Sequence, residues 1–315
     1  MLEYAEHQLS RVVPPSERAY VKALTDAYAS ATTALIKTNG IYTQARLQDV
    51  INKITAELKA INVKFAEVLP YDAVPIITAS NRYTEQELAL ALEHADIAAD
   101  LYTLPKTMIQ EMIDIKGINY YRIDAKGTMI KSKGVTANSM IKSIASNNIA
   151  KVRGIILAEG AIGTSPESIA RKIRPFVSGD TARRDIRTVV RSLLGEANER
   201  ANQKFYTENG KYIEEYLYMA TLDSRTSSLC RSLDGRRFKT REPWYTPKLH
   251  PNCRSSLIAV PKGYEVGQRP IVLPDGTIEV VTDKNFTYAD AVKRYPQLNN
   301  KKLINVDTYV KSLGD

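Results

Sequence analysis

TLDSRTSSLCRSLDGRRFKTREPWYTPKLHPNCRSS, residues 221–256, holds both cysteines of the 315-residue chain and one of its three histidines. His250 stands three residues before Cys253, a spacing that lets two side chains converge on one ion. With Cys230 they form a candidate zinc set, and Asp223 is the nearest fourth ligand in sequence. Ser227 occupies the place where a cysteine would complete C-x-x-C, so only one two-ligand knuckle is whole. The same residues fit a second reading: two small buried thiols beside a hydrogen-bonded loop histidine, since free cysteine is among the most buried residue types. A Cys230–Cys253 disulfide is a third reading, disfavoured in a reducing compartment. Cys230, His250 and Asp223 also superficially supply a nucleophile, a base and an orienter. No glycine-rich elbow or cysteine-protease context surrounds Cys230, and no Walker A loop, GxGxxG or HExxH occurs.

Upstream of this stretch, Thr181 to Glu208 is the strongest helix pattern, with Ile186, Val189, Val190, Leu193, Ala197 and Ala201 on one face. Asn209-Gly210 supplies its stop, and Ser165-Pro166-Glu167 starts a shorter helix before it. Tyr212 to Ala220 reads as a strand that delivers the chain to Asp223. Downstream, IVLPDGTIEVV (271–281) carries an Asp275-Gly276 hairpin signal between two β-branched runs. The last 25 residues or so are polar, suiting one short helix or a tail.

The first 80 residues read as a helical hairpin. Val21, Leu24, Tyr28, Ala31 and Leu35 mark one helix, and Leu47, Ile51, Ile54, Leu58, Ile61 and Phe65 the other, with a stop at Asn39-Gly40. Thr84 and Glu87 form a T-x-x-E capping box that predicts a third helix. YYRIDAKGTMI (120–130) predicts a hairpin turning at Lys126-Gly127, and short helices are expected over 136–160.

A net charge of +9 favours partners with negative surfaces, nucleic acid or an acidic protein face, although solubility alone also accounts for it. Arg184, Arg187 and Arg191 share a helix face away from the apolar stripe and are the candidate DNA contacts. Arg225, Arg231, Arg236, Arg237, Lys239, Arg241, Lys248 and Arg254 crowd the cysteine–histidine segment. Arg225 and Arg254 read as structural, because an arginine can lock a loop with several donors. No apolar run approaches the roughly 20 residues of a membrane span, and the N-terminus lacks a signal-peptide pattern. A soluble protein made in a reducing compartment is expected.

Asp223-x-Arg225-Thr226-x-x-x-Cys230, then Asp234-Gly235-x-x-Phe238, then Leu249-His250-Pro251-Asn252-Cys253-Arg254-Ser255 resembles the closing motif of the phage Mu F-like head morphogenesis family. IRTVVRSLLGEANERANQKFYTENG resembles that family's long helix, and Tyr216 to Thr221 its entering strand. The resemblance covers about 165–260. It departs at Ser227 and Ser255, where many relatives carry cysteine. It implies a structural motif of Asp223, Arg225, Thr226, Gly235, Pro251 and Arg254.

It further implies a non-enzymatic minor head protein of a tailed bacteriophage, associated with the portal vertex, other head proteins and packaged double-stranded DNA. Such a protein acts in head assembly and DNA ejection, residing in the virion and, during assembly, in the host cytoplasm. The alternatives are a metal-dependent hydrolase or nuclease using Asp223, His250 and the cysteines, or a plain DNA-binding module. The expected fold is α+β and mainly helical. A helical N-terminal region (1–160) that associates with the portal and head precedes a smaller mixed α/β region (161–315) with β-hairpins. One structural zinc is the candidate cofactor.

Overall fold

The computed structural model describes residues 14–40, 42–113, 121–123, 129–131, 137–239 and 248–300. The helices are α1 (Pro15–Ile36), α2 (Gln44–His94), α3 (Lys106–Ile113), α4 (Ala137–Ala161), α5 (Pro166–Val177), α6 (Asp180–Glu208), α7 (Ser228–Leu233) and α8 (Tyr288–Arg294). The strands are β1 (Tyr121–Ile123), β2 (Met129–Lys131), β3 (Ile213–Met219), β4 (Leu222–Asp223), β5 (Arg237–Lys239), β6 (Ser256–Pro261), β7 (Arg269–Val272) and β8 (Ile278–Val281). The protein is mainly helical α+β, as expected.

Packing groups the described chain into two compact units, each assembled from separated stretches. A helical unit takes 14–73 and 137–191; a mixed unit takes 74–113, the β1–β2 strands and 192–300. This grouping is interleaved along the chain, whereas the expected organisation, divided at residue 160, is sequential.

In the helical unit, α1 starts with proline at its first position, where the missing N–H is no loss. Its buried face is Tyr20, Leu24, Ala27, Ala31 and Leu35. Val21 and Tyr28, expected inside, are half-buried, and their neighbours Tyr20 and Ala27 take the inner positions. Asn39 and Gly40 turn the chain with φ of 48° and 71°. On α2, Leu47, Ile51, Ile54, Leu58 and Phe65 are buried as the spacing predicts. Tyr20 packs its ring on Phe65 at 4.7 Å and donates its hydroxyl to Asn62 Oδ1 at 2.9 Å. Burial pushes the Tyr20 phenol upward, so it stays protonated. Ser165 caps α5 by accepting from Ser168 N–H, and α5 packs against both α1 and α4. Residues 137–161 form one continuous helix where short ones were expected.

Helix α2 runs 51 residues, straight through Pro70 and Pro75. Each proline deletes one backbone donor, and the boundary between the two units falls between them. The capping box expected at Thr84 is absent, because Thr84 lies inside this helix. Its hydroxyl instead donates to Asn202 Oδ1 on α6 at 3.0 Å, an oxygen that also accepts from Asn81 Nδ2 at 3.2 Å. A side chain that looks locally like a cap is here used in tertiary packing.

The mixed unit has two three-stranded sheets. In one, β3 lies between β5 and β6, antiparallel to both. In the other, β7 pairs parallel with β4 and antiparallel with β8. The β7–β8 turn is the one read from Asp275-Gly276, with Asp275 Oδ1 accepting Thr277 N–H at 2.9 Å. β1 and β2 pair antiparallel as predicted; their turn at Lys126-Gly127 lies outside the described residues. Helix α6 ends at Glu208, and Asn209 after it is buried and pairs reciprocally with the Tyr102 backbone at 2.8 and 3.0 Å. The polar C-terminal stretch forms α8, with a capping box at Thr287 and Asp290, and a short 3-10 turn at Pro296–Leu298; residues 301–315 lie outside the described residues.

The start of α1 carries no local side-chain cap. Its Ser16 N–H is met by Asp72 Oδ2 from α2 at 2.6 Å, a remote cap that also places negative charge at a helix N-terminus. Asp72→Ala should therefore lower the urea midpoint by the equivalent of about 1 kcal/mol, whereas Asp49→Ala, on the first turns of the same helix, should leave the midpoint in place.

Candidate functional site

Asp223 at the end of β4 organises the site. Its Oδ1 accepts the backbone N–H groups of Arg225 at 2.9 Å and Thr226 at 3.0 Å, which folds the D-x-R-T segment into a tight turn. From the other side, Arg254 donates both Nη atoms to the same carboxylate, at 2.6 and 2.7 Å. That bidentate pair ties the turn to the residue directly after Cys253. Burial alone would raise the Asp223 pKa, but the Arg254 hydrogen bonds and charge, with Arg225 and Thr226, bring it down to about 2.

The turn leads into α7, capped by Ser227, whose Oγ accepts Cys230 N–H at 3.2 Å. This places Cys230 on the inner side of the helix, 1% exposed. The returning segment brings His250 and Cys253 to it. Cys230 Sγ lies 3.2 Å from His250 Nε2 and 3.6 Å from Cys253 Sγ. The three expected ligand atoms thus converge, all within 4.8 Å of one another. No disulfide joins the two cysteines.

Asp223, the expected fourth ligand, is not among them; its oxygens are engaged by Arg254, Arg225 and Thr226. Two hydroxyls also reach the cluster: Ser227 Oγ lies 2.8 Å from His250 Nε2, and the Tyr218 hydroxyl donates to Cys230 Sγ at 3.5 Å. Pro251 is the pivot: its carbonyl lies 2.9 Å from His250 Nδ1, and Cys253 N–H closes the turn on His250 O at 3.1 Å. Asn252 takes φ of 58° and donates its N–H to Ser192 Oγ on α6 at 3.1 Å.

Cys230 is the more acidic thiol. The hydrogen bond from Cys253, against the cost of burial and with help from Ser227, Ser255 and Tyr218, brings it down to about 6. Burial and the neighbouring Cys230 push Cys253 up to about 12. For His250, burial works downward, but the Cys253 hydrogen bond and the Pro251 carbonyl outweigh it and raise its pKa.

Three cations of the basic crowd, two buried and one half-buried, hold backbone and a carboxylate. Arg254 holds Asp223. Arg231, 3% exposed, donates to the carbonyls of Thr226, Ser224 and Leu298 and stacks on Tyr288 at 4.5 Å. Lys248, 2% exposed, donates to Ser255 O at 2.9 Å. Arg225 keeps an exposed side chain 3.3 Å from Asp223. Arg241 lies outside the described residues.

A second buried pair was not read from sequence. Asp234 accepts from Arg269 through both carboxylate oxygens, at 2.8 and 2.9 Å, and from the backbone N–H of Ala220 and Tyr288. The signal available was a lone arginine opening an apolar strand. Gly235 beside it has φ of 79°, and a Cβ there would lie 2.6 Å from Thr287 Cγ2, so the Asp-Gly step is required twice over.

On α6, Arg184, Arg187 and Arg191 are all exposed. Arg187 is also tied to buried Glu17 at 3.1 Å, within the helical unit.

The family of phage Mu protein F like proteins matches residues 152–258, from the middle of α4 into β6. That stretch of the chain is phage Mu F-like, as its motif residues indicate. No curated protein and no solved structure matches the chain.

Asp223 sets a pH prediction. Its folded pKa lies below the ordinary value of 3.8, so its contribution is complete above pH 4 and is lost as pH falls towards about 2. Asp223→Asn should cost roughly 3 kcal/mol at pH 7, the low end for breaking a buried pair because Arg254 keeps some solvent access. Urea melts of the two proteins should converge as the pH falls from 4 to 2; a gap independent of pH would show that the carboxylate charge is not the source.

Proposed function

We propose that this chain, phage Mu F-like over residues 152–258, is a minor head protein of a tailed bacteriophage that assembles against the portal and the neighbouring DNA inside the capsid. A phage head-related role follows from the family itself; portal association and DNA binding are our own reading. The observation that supports it best is how the family motif is used. Its residues Asp223, Arg254 and Asp234 are engaged by one another, by the backbone and by Arg269, which is what a rigid scaffold requires. The hydrolase reading needs Asp223 available to a metal or a water, and both its oxygens are engaged.

The helical hairpin is the proposed attachment element. Deleting it would be uninformative, since α1 packs directly on α5. Val63 and Tyr71 lie two helical turns apart on α2, 57% and 73% exposed. Co-expressed with the phage's portal protein, the wild-type chain should co-purify with it, and cryo-electron microscopy of heads should place it at the portal vertex. Val63→Ser with Tyr71→Ser should reduce co-purification at least about fivefold, the loss of one moderate hot spot, with an unchanged melting temperature. Normal co-purification by the double variant would remove the hairpin from this role.

For DNA, Arg184 and Arg191 are the residues to test, because truncating Arg187 would strand buried Glu17. Arg184→Gln with Arg191→Gln should lower the slope of log K against log salt by about 0.9 for each phosphate that is no longer neutralised. An unchanged slope would exclude this face as the DNA-binding surface.

A further inference from the structure

The cysteine–histidine cluster has the dimensions of a metal site. Zinc–sulfur bonds of about 2.3 Å and zinc–nitrogen bonds of about 2.0–2.1 Å imply tetrahedral edges of ~3.8 Å between sulfurs and ~3.5 Å between sulfur and nitrogen. The separations here are 3.6 Å for Cys230 Sγ to Cys253 Sγ and 3.2 Å for Cys230 Sγ to His250 Nε2. A disulfide would require the sulfurs at about 2.05 Å.

The histidine is also oriented as a ligand. The Pro251 carbonyl takes the Nδ1 proton at 2.9 Å, which leaves the Nε2 lone pair pointing at the sulfurs. A carbonyl in that position fixes the tautomer and orientation of metal-bound histidines generally.

We infer that Cys230 Sγ, Cys253 Sγ and His250 Nε2 bind one zinc-class divalent ion, with Ser227 Oγ at the fourth position. Ser227 Oγ now lies 2.8 Å from Nε2. Loading exchanges that hydrogen bond for a metal bond: the Nε2 lone pair turns to the ion, and the serine oxygen becomes its fourth neighbour. Two thiols lose their protons to solvent, so a dication and two thiolates leave the buried site neutral, which removes the cost of an isolated charge there. The ion would join α7 to the 248–253 segment. Its role is structural, since a protein ligand fills each position and none is left for substrate.

The test uses the full-length chain. Purified from zinc-supplemented cells, it should carry about one equivalent of zinc by elemental analysis, and Cys253→Ser should carry under a tenth of that. Cobalt(II) added to the zinc-stripped protein should give thiolate-to-cobalt charge transfer and the intense visible bands of a tetrahedral site. Circular dichroism of Cys253→Ser separates a loss of ligation from a loss of folding. Should that variant fail to fold, Ser227→Cys serves as the second probe. It completes C-x-x-C beside the existing His-x-x-Cys and should bind zinc at least about tenfold tighter than wild type. Wild-type protein that takes up neither zinc nor cobalt overturns the proposal. So does uptake by Ser227→Cys alone, or a Cys230–Cys253 disulfide found in place of metal.

Discussion

The bidentate pair between Asp223 and Arg254 is the interaction on which the mixed unit depends. Asp223 ends a two-residue strand too short to hold itself, and Arg254 stands just before β6. One planar guanidinium therefore fastens the end of one sheet to the start of a strand in the other. The remaining carboxylate capacity is filled by the Arg225 and Thr226 N–H groups, so the turn entering α7 is set by the same side chain. Asp234 and Arg269 repeat this solution a short way along the chain: a buried carboxylate whose partners come from remote segments. A region with short strands and a one-and-a-half-turn helix has little ladder energy. Charge-assisted hydrogen bonds make its geometry definite.

Segments whose neighbours along the chain decide their structure were legible. The α6 stripe, the Ser165 cap, the hairpin at Asp275-Gly276 and the strand before Asp223 all follow from local periodicity or turn chemistry. The convergence of Cys230, His250 and Cys253 was also readable, because three scarce side chains in one short stretch have few bland explanations. Less legible was what each charge in that stretch does. Arg231 and Lys248 sit among solvent-facing basic residues in sequence, and nothing local marks them as buried. Their partners are backbone carbonyls and the Asn300 side-chain amide, up to 69 positions away.

Thr84 failed for a related reason. A hydroxyl three residues before a glutamate stabilises a helix start, but the same hydroxyl satisfies a buried asparagine equally well. Only the fold selects between them. Pro70 and Pro75 lie inside α2 although an interior proline argues for a break. Asp223 was read as a ligand because carboxylates near cysteines often are, whereas two N–H groups and a guanidinium had already claimed it.

The interleaving of the two units bears on how the protein is made. Residues 14–73 complete their unit only with 137–191, and residues 74–113 complete theirs only with 192–300. On a ribosome adding roughly 5–20 residues per second, the N-terminal hairpin waits many seconds for α5, the helix that α1 packs against. During that interval Leu24, Ala31 and Leu35 have only α2 to cover them. The nascent chain thus emerges with an unfinished apolar seam, and synthesis in the company of a chaperone or an assembling head partner would shield it until residues 137–191 arrive.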